Sequence, residues 1–370
     1  MVQIAAKSLL QDRLRFALSL GGVALSIMLV VLLVGMYLGV NRQITAYLDN
    51  TGADVLIAQA GTRNFLGARS VISEDAEQRA ARTEGVRSAI PVISQYAVVD
   101  VGTRKEFSLL IGFYPEQGGG PWEMVEGRAA PGEGEVVADY AVAKARGLGL
   151  GDRVEILGKD FEVVGLSGGT SSWMTGTFFM RYGAASDLVA SRGQPSFLLV
   201  NVERNADPGV VARRLEQRLG DVTVTTRAAV NRNDRLLYAR ILNGPMGFMV
   251  LAAFLIGTAV VGLTIYTAAA ERVREYGTLK AIGIGNRQLY RIVFQQALLT
   301  TVSGYVAGVG LAAAARWAIP LVNPRFMVVI EPPVVAGLAL LSLAMGVLAG
   351  FIPARAIAVI DPAVAFRRGA

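Results

Sequence analysis

FALSLGGVALSIMLVVLLVGMYLGVN, residues 16–41, runs through twenty-six positions without a charged side chain. An α-helix needs about 20 apolar residues to cross the hydrocarbon core of a bilayer, so this stretch predicts a membrane span over 17–40. Three further charge-free windows lie at 241–270, 292–315 and 332–354. They predict spans over 246–270, 292–316 and 333–353. Buried core helices of a soluble domain do not reach this length four times in one chain. A cleavable signal peptide has a shorter apolar core, about 7–15 residues, so the first window reads as an uncleaved span. The order is one span, a long intervening segment over 41–243, then three spans.

Charge sets the expected topology. The net charge is +7, yet residues 42–240 carry 23 basic and 24 acidic side chains. The excess lies beside the spans. It comprises Lys7, Arg13 and Arg15 before the first, Arg272, Arg274, Lys280, Arg287 and Arg291 between the second and third, and Arg355, Arg367 and Arg368 after the fourth. Positive charge flanking spans marks the cytoplasmic side. Both termini (the basic helix of 1–16 among them) and the 271–291 loop are therefore expected in the cytoplasm, with 41–243 outside. The same clustering removes a nucleic-acid reading of the positive charge.

Several chemistries are excluded. The chain has no cysteine and no histidine, which removes disulfides, thiolate metal sites and Ser-His-Asp triads. The carboxylate pairs Glu133/Glu135 and Asp152/Glu155 read as solvated surface. The glycine runs at 118–120 and 165–169 lack the spacing of a phosphate loop. No charged side chain sits at mid-depth in a span, whereas proton relays and ion-coupled transporters need one. The reading is a non-enzyme that needs no metal or cofactor of its own.

The segment 41–243 reads as mixed α and β with a β-rich insert over 114–175. A strand is expected near Ala53–Ala58, and a helix capped by Ser73 after it. Arg153–Leu157 and Asp160–Val164 alternate polar and apolar around Gly158-Lys159, which predicts a hairpin. Val210, Val211, Leu215 and Leu219 form the apolar stripe of a helix over 208–219. In the spans, Gly35 and Gly39, Gly304 and Gly308, and Gly346 and Gly350 recur at four-residue spacing, the pattern of close helix packing in lipid.

Between spans 2 and 3 the chain reads ERVREYGTLKAIGIGNRQL, residues 271–289. The residues alone give a helix continuing from span 2, a break at Gly277, a short helical piece around Leu279–Ile282, and an end at Gly283 and Gly285. Such a piece either docks in a partner's groove or touches anionic lipid. The motif Glu-Arg-x-Arg-Glu-Tyr-Gly-x-Leu-Lys-Ala-Ile-Gly resembles the coupling segment of the MacB/FtsX-like (type VII, DevC-like) ABC transporter permeases. Leu9–Ser26 and the Pro353-Ala354-Arg355 exit with Asp361-Pro362 are similar to the two ends of that family. The resemblance covers the whole chain and is strongest over 245–370.

The resemblance implies an α-helical membrane protein with four transmembrane helices (1+3) and a mixed α/β extracytoplasmic domain containing a β-rich subdomain. Residues 244–370 would be the permease domain, in a bacterial inner membrane. It implies a permease homodimer on a separate ABC ATPase subunit, which binds the ATP and Mg. Glu271, Arg272, Glu275, Leu279, Lys280 and Ile282 would dock the ATPase, and Gly277 and Gly283 would shape the segment. Three outputs stay open: export or outer-leaflet extraction of a hydrophobic or amphipathic compound such as a lipid, lipoprotein, peptide, macrolide or haem, activation of an external enzyme, or sensing without an ATPase. A periplasmic adaptor would be a further partner. Met36 and Tyr37 could line an outer-leaflet entry, or simply anchor span 1 at the interface.

Overall fold

The computed structural model describes residues 13–172, 174–271, 278, 282 and 285–358. Four of its helices are long and apolar enough to cross a membrane. They are α1 (Arg13–Asn50), α6 (Arg227–Glu271), α7 (Asn286–Val322) and α8 (Pro332–Ala358). The chain divides into two compact units.

The first unit takes the chain through Leu38, Leu242–Ile319 and the residues from Val328 onward. Its core is aliphatic and drawn from all four helices. Val23, Ile27 and Val30 of α1 pack with Val261 and Ile265 of α6, Val293 and Ala297 of α7, and Met345 and Ala349 of α8. Tyr305 donates its hydroxyl proton to the carbonyl of Val335 at 2.7 Å. In an apolar interior a polar side chain needs such a partner.

The second unit is Gly39–Ile241 with Pro320–Met327. Its elements are β1 (Val55–Gln59), α2 (Ala76–Ala81), β2 (Val86–Val101), β3 (Arg104–Phe113), β4 (Met124–Gly127), β5 (Glu135–Asp139), α3 (Tyr140–Arg146), β6 (Arg153–Ile156), β7 (Lys159–Ser167), β8 (Gly176–Arg181), α4 (Tyr182–Leu188), β9 (Phe197–Val202), α5 (Pro208–Leu219) and β10 (Val222–Thr226). The ends of α1 and α6 belong to it as well. One sheet runs β10-β1-β9-β2-β3-β8-β5-β7-β4, and β6 pairs with both β2 and β7. The strands β2, β3, β8, β5, β7 and β6 therefore close into a ring, which leaves no free edge among them. Strands β4 to β7 fall within 114–175, but the ring they complete also takes β2, β3 and β8. The pairs β3/β8 and β5/β7 are parallel, and the others antiparallel.

Three apolar cores follow from this arrangement. Alternate residues of the ring strands, with Val142 of α3 and Tyr182 of α4, fill one. On one face of the open part of the sheet, Val55, Ile57, Leu198 and Val200 meet Val211, Leu215 and Leu219 of α5. On the other, Leu56, Val92, Leu109 and Leu199 meet Ile44, Tyr47 and Leu48 of α1 and Val230 of α6.

Local details differ from the sequence expectations in three places. The stripe on α5 buries Ala212 with Val211, Leu215 and Leu219, while Val210 is exposed. The helix expected behind Ser73 begins at Ala76 with Asp75 at the cap position and no side-chain capping bond. Ser73 instead bonds the Asp75 carboxylate, and with the Arg79 guanidinium this holds that acid below its usual pKa. The β6–β7 turn is Leu157-Gly158, one residue earlier than expected, because Ile156 pairs with Lys159. Both turn residues have positive φ, 50° and 82°, as a two-residue hairpin with right-twisted strands requires.

Candidate functional site

Residues 39–50 of α1 and 227–241 of α6 lie in the second unit, and polar side chains bind them together. Asn231 donates to Asp49 Oδ1 at 2.7 Å, and Arg235 donates to Thr45 Oγ1 at 3.2 Å. Thr45/Asp49 and Asn231/Arg235 are each i,i+4, so each pair shares one helix face. The two bonds form successive rungs between antiparallel helices.

Asp234 sits on the same turn of α6 and is buried. Its carboxylate accepts from Asn64 Nδ2 at 3.0 Å and, over longer distances, from the backbone N–H groups of Phe65 and Leu66. Tyr96 and Tyr238 share a hydroxyl hydrogen bond beside it. Burial dominates over the hydrogen bonds and pushes the Asp234 pKa up to about 7. Phe65, which this contact orients, stacks on Tyr47 with ring centres 4.9 Å apart. Tyr47 donates its hydroxyl proton to the carbonyl of Gly119 at 2.8 Å, and burial raises its pKa. The helix ends are thus anchored to the 60–67 loop, the 118–122 loop and the sheet.

A second buried carboxylate with a raised pKa, Asp139, caps α3 by accepting from Ala141 N and Val142 N at 2.9 and 3.2 Å, and also binds the hydroxyls of Thr170 and Ser171. It is a fully bonded cap, with no open side facing a cleft. Among the described residues no group of His, Cys, Asp and Glu is arranged to hold a metal ion.

Residues 16–218 match the MacB-like periplasmic core domain family, and residues 247–362 match the FtsX-like permease C-terminal family. The chain belongs to the MacB/FtsX-like family of ABC transporter permeases. This makes it a multi-pass membrane protein with its extracytoplasmic domain between the first and second spans. An ABC transporter permease implies a partnering ATPase subunit. It is 25% identical over 356 residues to an uncharacterized ABC transporter permease of Mycobacterium tuberculosis, covering 95% of each chain. It is likewise 25% identical to a pyoverdine export ATP-binding/permease protein of Pseudomonas syringae, across 98% of this permease and 58% of the relative. The crystal structure of the periplasmic region of MacB from Actinobacillus actinomycetemcomitans is similar to 50% of this chain and 94% of that one, at 15% identity and a TM-score of 0.39.

Of the coupling residues expected in the permease, Glu271 is the last described residue of α6 and Ile282 is 76% exposed on a turn in which its N–H reaches Thr278 O at 3.1 Å. Arg272, Glu275, Gly277, Leu279, Lys280 and Gly283 lie outside the described residues. Each of the paired span glycines sits against another part of this chain. Gly35 faces Val328 and Val329, Gly39 faces Met327, and Gly304 faces Val23. Gly346 faces Thr301, and Gly350 faces Phe294 and Ala297. Met36 and Tyr37 are half-buried. A Cβ at Gly308 would lie 2.7 Å from the carbonyl oxygen of Ala24 and 2.8 Å from Ile27 Cβ. Backbone cannot yield there, so Gly308→Leu is expected to cost roughly 1–3 kcal/mol of overpacking. A lowered melting temperature of the detergent-solubilised protein would register it. Gly310→Ala, with nothing within 4 Å of the new methyl, is the neutral control.

Asn231, Asp234 and Arg235 do not stand out in the sequence as Leu279 or the glycine pairs do. Their signal is nevertheless present: polar residues at i, i+3 and i+4 on a helix face just outside a span, opposite Thr45 and Asp49.

Proposed function

We propose that this chain is the permease subunit of a bacterial inner-membrane exporter in which a separate ATPase drives the extracytoplasmic domain mechanically. In this reading it works as a homodimer with both termini in the cytoplasm, a permease domain over 244–370 and an outer domain over 41–243 whose β-rich insert spans 114–175. The substrate is hydrophobic or amphipathic and is exported, or taken from the outer leaflet, without passing among the spans. The observation that carries the reading is the pair of continuous helices, α1 and α6, whose outer ends are tied by the Asn231–Asp49 and Arg235–Thr45 rungs. A displacement at the inner end of such a helix reaches its outer end with little loss, because its backbone hydrogen bonds run along the axis. Pro245 is the one interruption of α6, and it removes the bond to the Ile241 carbonyl. Relatives that are pyoverdine export proteins support export as the output. ATP and Mg are bound by the ATPase, which docks on Glu271, Arg272, Glu275, Leu279, Lys280 and Ile282, shaped by Gly277 and Gly283.

The test is reconstitution. The purified permease alone is expected to hydrolyse no ATP. In liposomes with its ATPase subunit, hydrolysis should appear and rise when an amphipathic substrate is supplied. Hydrolysis by the permease alone would overturn the assignment. Hydrolysis that is indifferent to every lipid and peptide, but changes when an external enzyme binds residues 41–243, would establish the transmitter reading instead.

A further inference from the structure

The loop between α7 and α8 is short, yet residues Pro320–Met327 belong to the second unit and not to the helix bundle that flanks them. One carboxylate is central to the contacts that hold it there. Glu106 of β3 is buried, with a side-chain exposure of 4%. Its Oε2 accepts from Arg146 Nε at 3.0 Å and Nη2 at 2.6 Å. Its Oε1 accepts from Nη2 of Arg325, 219 positions further along the chain. The backbone around Arg325 is held as well. Its carbonyl accepts from Gln43 Nε2 of α1 at 2.9 Å, and its N–H donates to Asn323 Oδ1 at 3.2 Å. Met327 closes against Gly39.

We propose that Arg325 is a releasable tether, fastening the α7–α8 connection to the extracytoplasmic domain through Glu106 and adding a third force-bearing attachment to those of α1 and α6. Charge-assisted bonds of arginine to a buried carboxylate are strong and fix geometry. A single arginine on a buried carboxylate could not leave without stranding the charge, which is costly. Here the two oxygens are divided between two arginines. Arg146, at the end of α3, keeps Glu106 neutralised when Arg325 departs, so the loop can detach while the domain stays folded. The tether as an attachment is independent of the mechanical reading proposed above; only its bearing of force rests on that reading.

Hydrogen exchange followed by mass spectrometry on the full-length protein in lipid nanodiscs, without ATPase, tests the attachment. Arg325→Met is expected to speed exchange across 321–329 by ~10-fold or more, the loss of a charge-assisted bond, with β1, β2, β3 and β9 unchanged. Arg146→Met leaves Arg325 on Glu106 and should leave 321–329 protected. Unchanged exchange in Arg325→Met, or equal loss throughout β2 and β3 in both variants, would overturn the tether. The second arm adds the ATPase and ATP. In the wild type, 227–241 and 321–329 should respond together, and in Arg325→Met only 227–241 should respond. A loop that responds equally in the variant bears no force through Arg325, which overturns that part. A wild type whose 227–241 segment ignores ATP defeats the lever and leaves the attachment to the first arm.

Discussion

Leu279→Asp combined with Lys280→Glu is expected to abolish co-purification of the ATPase subunit and, with it, all ATP-dependent activity of the complex. The segment is a short piece between Gly277 and Gly283 with one charged residue, Lys280, beside two apolar points, Leu279 and Ile282. Ile282 is exposed, and no apolar side chain gains by standing in water. Burying a leucine in a partner's groove contributes roughly 1.5–3 kcal/mol, and an aspartate there must be desolvated without a partner. Reversing Lys280 inverts the one charge this piece would present to the partner and so removes any electrostatic complementarity it provides. Together these effects exceed about 4 kcal/mol, or roughly a thousandfold in affinity. The control is the outer domain: residues 279 and 280 lie far along the chain from it, so its melting temperature in the variant should match the wild type. Undiminished ATPase binding and export would remove these two residues from the docking role, while the family assignment would stand on its other evidence.

What the sequence made legible divides by the range of the interactions involved. Spans and their order follow from unbroken apolar runs, a property each run carries by itself. The α5 bounds are also local, set by Asp207-Pro208 at one end and Gly220 at the other. The ring of six strands was not legible. It depends on β6 meeting β2 across more than fifty residues, a pairing that no local alternation encodes. The Leu157-Gly158 turn shows the same limit on a small scale. Lysine at position 159 looked like a turn residue, yet cross-strand pairing with Ile156 took it into the strand. Glu106 and Arg325 stood out least of all, since an acid on an alternating strand reads as solvent-facing until the partner from a distant loop is known. The glycine pairs were visible as spacing, but their partners were not, because spacing marks a thin helix face and says nothing of what approaches it.

Asp234→Asn is expected to flatten the pH dependence of the outer domain's stability between about pH 4 and pH 7 and to stabilise that domain above it. The folded pKa of Asp234 is raised from 3.8 to about 7 by burial. Below pH 4 the carboxyl is protonated both folded and unfolded, and it costs nothing. As the pH rises, the unfolded chain releases this proton first, so folding opposes ionisation and stability falls through the window until the folded pKa is passed. Every tenfold difference in proton affinity between the folded and unfolded chain is worth about 1.4 kcal/mol, which puts the penalty at neutral pH and above at roughly 2–4 kcal/mol. Asparagine stands in for the protonated acid. It still offers an oxygen to the N–H groups of Phe65 and Leu66, while Asn64 can rotate its amide to accept. The neighbours that face Asp234 are Tyr96 and Tyr238, and neither phenol titrates in this range. The readout is the difference in melting temperature between variant and wild type, near zero at pH 4 and several degrees in favour of asparagine at pH 8. A difference that is constant with pH would mean that Asp234 is ionised throughout, and that the loop of residues 64–66 is held to α6 by charge and not by a shared proton.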